Sequence, residues 1–171
     1  FYDGNGRLNR FISSYMLGKE LQPILGYRLS YTIKENIREY YKAFRVCNQP
    51  KNRGDLTPFV EMFLKIIEES TRQLLSALQE RVNALDHYDK IIERLPNGKE
   101  GNYYQLYFVL VQAELFSENG ISTEDLLEFM GVSRTTLRRQ LQEIEKAGLL
   151  KVSLYGHAKH YNLDLDQADK Y

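Results

Sequence analysis

The first residues able to do chemistry stand together in the string Asp3-Gly4-Asn5-Gly6-Arg7-Leu8-Asn9-Arg10. Glycines on either side of Asn5 let successive backbone N–H groups converge on an anion, and a helix that follows adds its positive end. Arg7 and Arg10 lie three residues apart and so share a helix face, where each planar guanidinium can grip phosphate oxygens. Asp3 supplies a hard carboxylate for magnesium, which commonly bridges a carboxylate to substrate phosphates. The pattern predicts a nucleotide-phosphate site, with Gly4, Asn5, Gly6, Arg7 and Arg10 on the anion and Asp3 on the metal ion. An EF-hand fits poorly, because Arg7 and Ser14 stand where carbonyl or carboxylate ligands belong. A dinucleotide fingerprint fits no better, since Asn9 stands where its third glycine would be.

A second group lies near the other end. Ser122 or Thr123 opens a helix with Glu124 and Asp125 in its first turn, Gly131 ends it, and Ser133 caps the next after only Gly131-Val132-Ser133. This spacing resembles the winged helix-turn-helix family over about residues 103–165, with "GVSRTTLRRQLQEIEKAGLL" as the recognition helix and "LYGHAKHY" as the wing. The resemblance implies that Arg134, Thr135, Thr136, Arg138 and Arg139 face a DNA major groove, that His157 and Lys159 on the wing join them, and that Leu137, Leu141 and Ile144 are buried. Local charge agrees: residues 131–161 hold six Lys or Arg against two Glu, whereas residues 112–130 hold five acids and no base. Winged helices also dock proteins or dimerise, and an arginine-rich helix is often only a solvated face.

Positioning these groups requires a mainly α chain with a small β-hairpin. With 171 residues, 43% of them hydrophobic, there is material for a real core, and the formal net charge of zero excludes a general electrostatic claim on nucleic acid by the whole chain. One cysteine, Cys47, excludes an internal disulfide and a cysteine-rich zinc site, and three scattered histidines do not make a metal cage. No apolar run is long enough for a membrane span and no leader is recognisable, so a cytoplasmic protein is expected.

Helical patterns run through "RLNRFISSYMLGKEL", stopping at Gln22-Pro23, and through "YTIKENIREYYKAFRV", whose Ile33, Ile37, Tyr40, Tyr41 and Phe44 make one apolar face. Thr57 is the expected cap of a helix with Pro58 first. No glycine or proline occurs from Phe59 to Leu95, and Leu74, Leu78, Val82, Leu85, Tyr88 and Ile92 form a stripe, giving one long helix or two joined by a bend. "LPNGKEGN", residues 95–102, reads as a linker. The expected organisation is 1–95, a linker at 96–102, and 103–171, where three helices precede two alternating β runs joined at a glycine.

The opening string also resembles the core motif of Fic-domain proteins, HxFx(D/E)GNGRxxR, at Phe1, Asp3, Gly4, Asn5, Gly6, Arg7 and Arg10. "GDLTPFVEMFL", residues 54–64, is similar to a late-helix segment of that family, with Phe59 where tryptophan is usual, so the resemblance spans about residues 1–67. It implies part of a Fic helical bundle, ATP with Mg²⁺ as cofactors, and transfer of AMP to a Ser, Thr or Tyr hydroxyl of a protein substrate. The family's catalytic histidine falls two residues before Phe1, so no catalytic residue is assigned and a C-terminal part of a longer, AMP-transferring parent is expected. A missing general base costs about 10²-fold to 10⁴-fold in rate. No inhibitory (S/T)xxxE(G/N) segment is present: Glu118-Asn119 has Glu114 where Ser or Thr is required. The competing expectation is a non-enzymatic, DNA-binding transcription regulator that keeps a nucleotide-binding Fic remnant. A homodimer that covers exposed apolar surface is a further expectation.

Overall fold

The computed structural model describes residues 5–171 and divides the chain into two compact units, residues 1–78 and 79–171. Phe1, Tyr2, Asp3 and Gly4 lie outside the described residues. The chain is mainly α, with a small three-stranded antiparallel sheet near its C-terminal end. Among the described residues, no helix is long and apolar enough to cross a membrane.

The first unit contains α1 (Asn5–Glu20), α2 (Pro23–Glu35), α3 (Ile37–Cys47), a 3-10 turn (Pro50–Asn52) and the beginning of α4 (Thr57–Ile92). Helices α1 and α2 approach backbone to backbone, because a Cβ on Gly26 would stand 2.4 Å from the Ser14 carbonyl oxygen. Ser14 and Ser30 hydroxyls meet at 3.1 Å across the same contact. The core forms from Leu29, Ile33, Tyr40 and Ile66, with Phe44 and Phe59 packed against it at 4.6 Å between ring centroids.

The apolar pattern of residues 31–46 does not give one helix: the chain breaks at Asn36, between α2 and α3. Asn36 has φ −100 and ψ 28, and its amide donates to the Thr32 carbonyl at 3.1 Å and to Glu69 on α4 at 3.1 Å. Thr57 is not the cap but the first residue of α4; its N–H donates to the Asp55 carboxylate at 2.9 Å. The Thr57 hydroxyl first, and then this N–H, hold the Asp55 carboxyl below its ordinary pKa. Helix α4 is a single helix of 36 residues, as a run without glycine or proline allows. Its stripe is buried only in part, since Leu74 and Leu78 are half-buried and Val82 is exposed.

The second unit contains the end of α4, then α5 (Gly101–Phe116), β1 (Ile121–Ser122), α6 (Thr123–Met130), α7 (Arg134–Lys146), β2 (Leu150–Tyr155), β3 (Ala158–Leu163) and α8 (Leu165–Ala168). Strand order is β1-β3-β2, with Val152 opposite Tyr161 and Leu154 opposite Lys159. The core gathers Ile92, Leu95, Leu106, Tyr107, Leu110, Leu126, Leu137, Ile144, Leu149 and Leu163. Helix α8 is fastened by Asp169, which accepts from the Tyr88 hydroxyl at 3.1 Å and lies 3.3 Å from His87 Nε2.

The stretch 96–102 is not a free linker. Leu95 is 3% exposed, the Tyr107 hydroxyl donates to the Pro96 carbonyl at 3.0 Å, and α5 already starts at Gly101. A Cβ on Gly98 would lie 1.8 Å from the Ile92 carbonyl oxygen, so the turn folds back on the end of α4 and only glycine fits. The division between units therefore falls at Leu78 and Gln79, inside a helix, rather than at this turn.

Candidate nucleic-acid interface

Two serines set the helix-turn-helix. The Ser122 hydroxyl accepts the Asp125 N–H at 3.1 Å and donates to the Asp125 carboxylate at 2.7 Å, so Ser122, not Thr123, caps α6. Gly131 ends α6 in the left-handed region, φ 62, its N–H bonded to the Leu127 carbonyl at 3.0 Å. Ser133 then caps α7 by accepting the Thr136 N–H at 3.2 Å. The three-residue turn is thus built from backbone groups satisfied on both sides.

Helix α7 separates its residues by face. Leu137, Leu141 and Ile144 are buried as expected, and so is Gln140. Arg134, Thr135, Arg138 and Arg139 are exposed and Thr136 is half-buried. A second anchor holds α7 from the side. Glu143 accepts a hydrogen bond from the Tyr103 hydroxyl on α5 and another from Asn97, at 3.4 Å, in the turn before α5. Burial, reinforced by that carboxylate, pushes the Tyr103 phenol up to about 12. Tyr103 therefore stays a proton donor throughout the physiological range.

The hairpin β2–β3 stands beside this helix. Arg134 and Arg138 of α7 and Lys159 of β3 line one cleft of about 320 Å³, floored by Leu137, Val152 and Tyr161. Arg139, Thr135, Thr136 and His157 do not line it; His157 is exposed at the hairpin turn beside Gly156. Of the six cations counted over residues 131–161, two are partly spent. Arg134 lies 3.4 Å from Glu124, and Lys151 lies 3.2 Å from Glu114 and 3.8 Å from Asp164. Burial acts to lower the Lys151 pKa, but these carboxylates outweigh it and the net shift is upward. Among the described residues, Arg138, Arg139 and Lys159 have no carboxylate within 4.0 Å. Gln142 and Glu145 also line the cleft; the sequence pattern did not single them out, and only their positions one and two turns after Arg138 hinted at it.

Residues 113–161 match the model of the DeoR-like helix-turn-helix domain. The DeoR-like segment runs from the end of α5 through α6 and α7 to Tyr161 on β3, and so contains both capped helices and the hairpin. No curated protein and no solved structure matches the chain. No Fic-domain match accompanies the DeoR-like one, so the expectation of an AMP-transferase gains no support outside its own motif.

The predicted phosphate site is only partly within view. Asp3 and Gly4 are outside the described residues, while α1 starts at Asn5 and carries Gly6, Arg7 and Arg10. Arg7 is exposed and Arg10 half-buried, with Nη1 of Arg10 unpartnered among the described residues. Arg10 also acts on Tyr40: burial raises that phenol, and the guanidinium charge offsets part of the rise. Among the described residues, no cluster of three His, Cys, Asp or Glu is placed to hold a metal ion.

Proposed function

We propose that this chain is a DNA-binding regulator whose helix α7 enters the major groove of duplex DNA. What supports the reading above all is the exposed pair Arg138 and Arg139 on the outer face of the second helix, without an ion pair among the described residues and within the DeoR-like segment. In this docking mode the start of the second helix meets base edges, so Arg134, Thr135 and Arg138 are the proposed readers. Arg139, Lys159 and His157 contact the phosphates that fix its register. Two-fold pairing of two chains on two half-sites follows from the same mode and makes the homodimer part of the proposal.

The test is selection of bound duplexes from a random library, followed by fluorescence anisotropy at several salt concentrations. The Arg138→Ala/Arg139→Ala variant should bind more weakly and lose about 1–2 from the slope of log affinity against log salt. Unchanged binding by this variant would overturn the assignment.

A second reading rests on one observation, the seven matched positions of the Fic-like motif, two of which, Arg7 and Arg10, sit one turn apart at the start of α1. Under it, Gly4, Asn5, Gly6, Arg7 and Arg10 hold the phosphates of ATP and Asp3 holds Mg²⁺. AMP transfer under this reading joins a protein hydroxyl to the α-phosphorus of ATP, releases pyrophosphate and passes the hydroxyl proton to a general base. Calorimetric titration with Mg²⁺ and ATP should show binding that Arg7→Ala abolishes; no heat from the unaltered chain would remove this reading.

A further inference from the structure

Although the whole chain is neutral, its charges are segregated. Residues 131–161 hold six cations and two acids, and residues 34–53 hold the same, six and two: Lys34, Arg38, Lys42, Arg45, Lys51 and Arg53 against Glu35 and Glu39. These two stretches contain 12 of the chain's 23 Lys and Arg but only 4 of its 23 Asp and Glu, which leaves the rest of the molecule acidic. The second stretch lies in the other compact unit, and nothing in the helix-turn-helix accounts for it.

Its geometry concentrates the charge further. Arg38, Lys42 and Arg45 follow one another at spacings of four and three on α3, which places them within about 60° around the helix. The buried Tyr40 and Ala43 lie on the opposite side from Arg38 and Arg45, which project away from the core. Lys42 stands at the edge of a groove that α3 forms with α4 and that Glu39, Glu61 and Glu69 also line. All six cations of the stretch are exposed, and among the described residues none has a carboxylate within 4.0 Å. Asp55, the next acid along the chain, is occupied in holding the start of α4.

From this we infer that the outer face of α3, centred on Arg38, Lys42 and Arg45, is a second nucleic-acid surface that grips the phosphate backbone of duplex DNA. The inference rests on the DNA-binding reading above, and extends it to the first unit. Each strand of a duplex carries one charge per about 3.4 Å of axis, so the roughly 10 Å from Arg38 to Arg45 matches about three phosphates of one strand. Such contacts carry no sequence information; they add affinity and salt dependence. Because the two units are one chain, DNA held by either raises the effective concentration of the other's ligand. An anionic membrane is the poorer partner for this face. A membrane-surface helix needs an apolar side to bury, whereas Tyr41 is the one large hydrophobic exposed on α3 and the rest of its apolar side is committed to the unit's core.

The experiment uses the full chain and the duplex selected above. The Arg38→Gln/Lys42→Gln/Arg45→Gln variant should lower the salt slope by about 2.7, so that going from 50 to 200 mM salt weakens the unaltered protein about 40-fold more than the variant. A charge-retaining Arg38→Lys/Arg45→Lys variant should keep the original slope, and matching circular dichroism of all three proteins shows that folding is intact. An unchanged slope in the Gln variant overturns the inference. So does binding of the face to phosphatidylserine vesicles that the Gln variant loses while DNA binding stays the same. Failure of the DNA reading itself looks different: the unaltered chain would then bind no duplex at any salt concentration.

Discussion

Leucine-to-alanine replacement at two positions of the helix-turn-helix unit should have very different consequences. Leu137 is 1% exposed and packs in the cluster that contains Leu126, Leu141 and Ile144, whereas Leu154 on β2 is 73% exposed. The chemistry removed is the same, so the difference measures packing alone. A buried Leu→Ala change costs about 2–5 kcal/mol through lost transfer energy and the cavity left behind. For a unit of the size spanned by residues 79–171, each kcal/mol lowers Tm by about 4–8 °C, so about 3 kcal/mol at Leu137 gives a fall of about 12–24 °C. Leu154→Ala should stay within about 0.5 kcal/mol. Differential scanning calorimetry reads the transition, and hydrogen exchange of the α7 amides assigns it to this unit. Equal shifts for the two variants, or a fall below about 4 °C for Leu137→Ala, would refute the claim that α7 is set by its buried face.

Two further outcomes follow from contacts elsewhere. Gly26→Ala should destabilise the α1–α2 pair despite a helix-propensity gain of about 1 kcal/mol, because the new Cβ meets the Ser14 carbonyl at 2.4 Å; faster exchange of α1 and α2 amides checks this. Alkaline pH should destabilise the second unit. Burial first, then the Asp169 and Glu143 carboxylates, push Tyr88 and Tyr103 up to about 12, above the ordinary 10 of the unfolded chain. Their contribution is therefore complete below pH 10 and is lost as pH rises through about 12. Tm measured from pH 9 to 12 should fall, and Tyr103→Phe should flatten part of that fall.

The helix-turn-helix was legible because its signals are local. Ser122, Gly131 and Ser133 each act on a backbone group within three or four residues, and the apolar spacing 137, 141, 144 needs no distant partner to be read. The break at Asn36 was not legible, because Ile33, Ile37, Tyr40 and Phe44 keep their period across it, while Glu69, which bonds the Asn36 amide, is 33 residues away. Strand β1 has two residues and exists only through its pairing with Tyr161 and His160 on β3. Pro96 and Gly98 have the composition of a linker, and what folds them down is the burial of Ile92, Leu95 and Tyr107 around them. At the candidate interface the exposed arginines could be read from helical period alone. That Lys151 is paired with Glu114 could not, since the two meet only once β3 lies against α5 and β2 pairs with β3.

The division of labour along α7 has a consequence for how such a surface changes over generations. Leu137, Leu141, Ile144 and the Glu143 anchor hold the helix in place, while Arg138 and Arg139 make no ion pair among the described residues. Replacing the outward pair leaves the scaffold intact, so a lineage can try new partners there without first acquiring stabilising changes elsewhere. The inward set has no such freedom: Glu143 cannot drift unless Tyr103 and Asn97 drift with it.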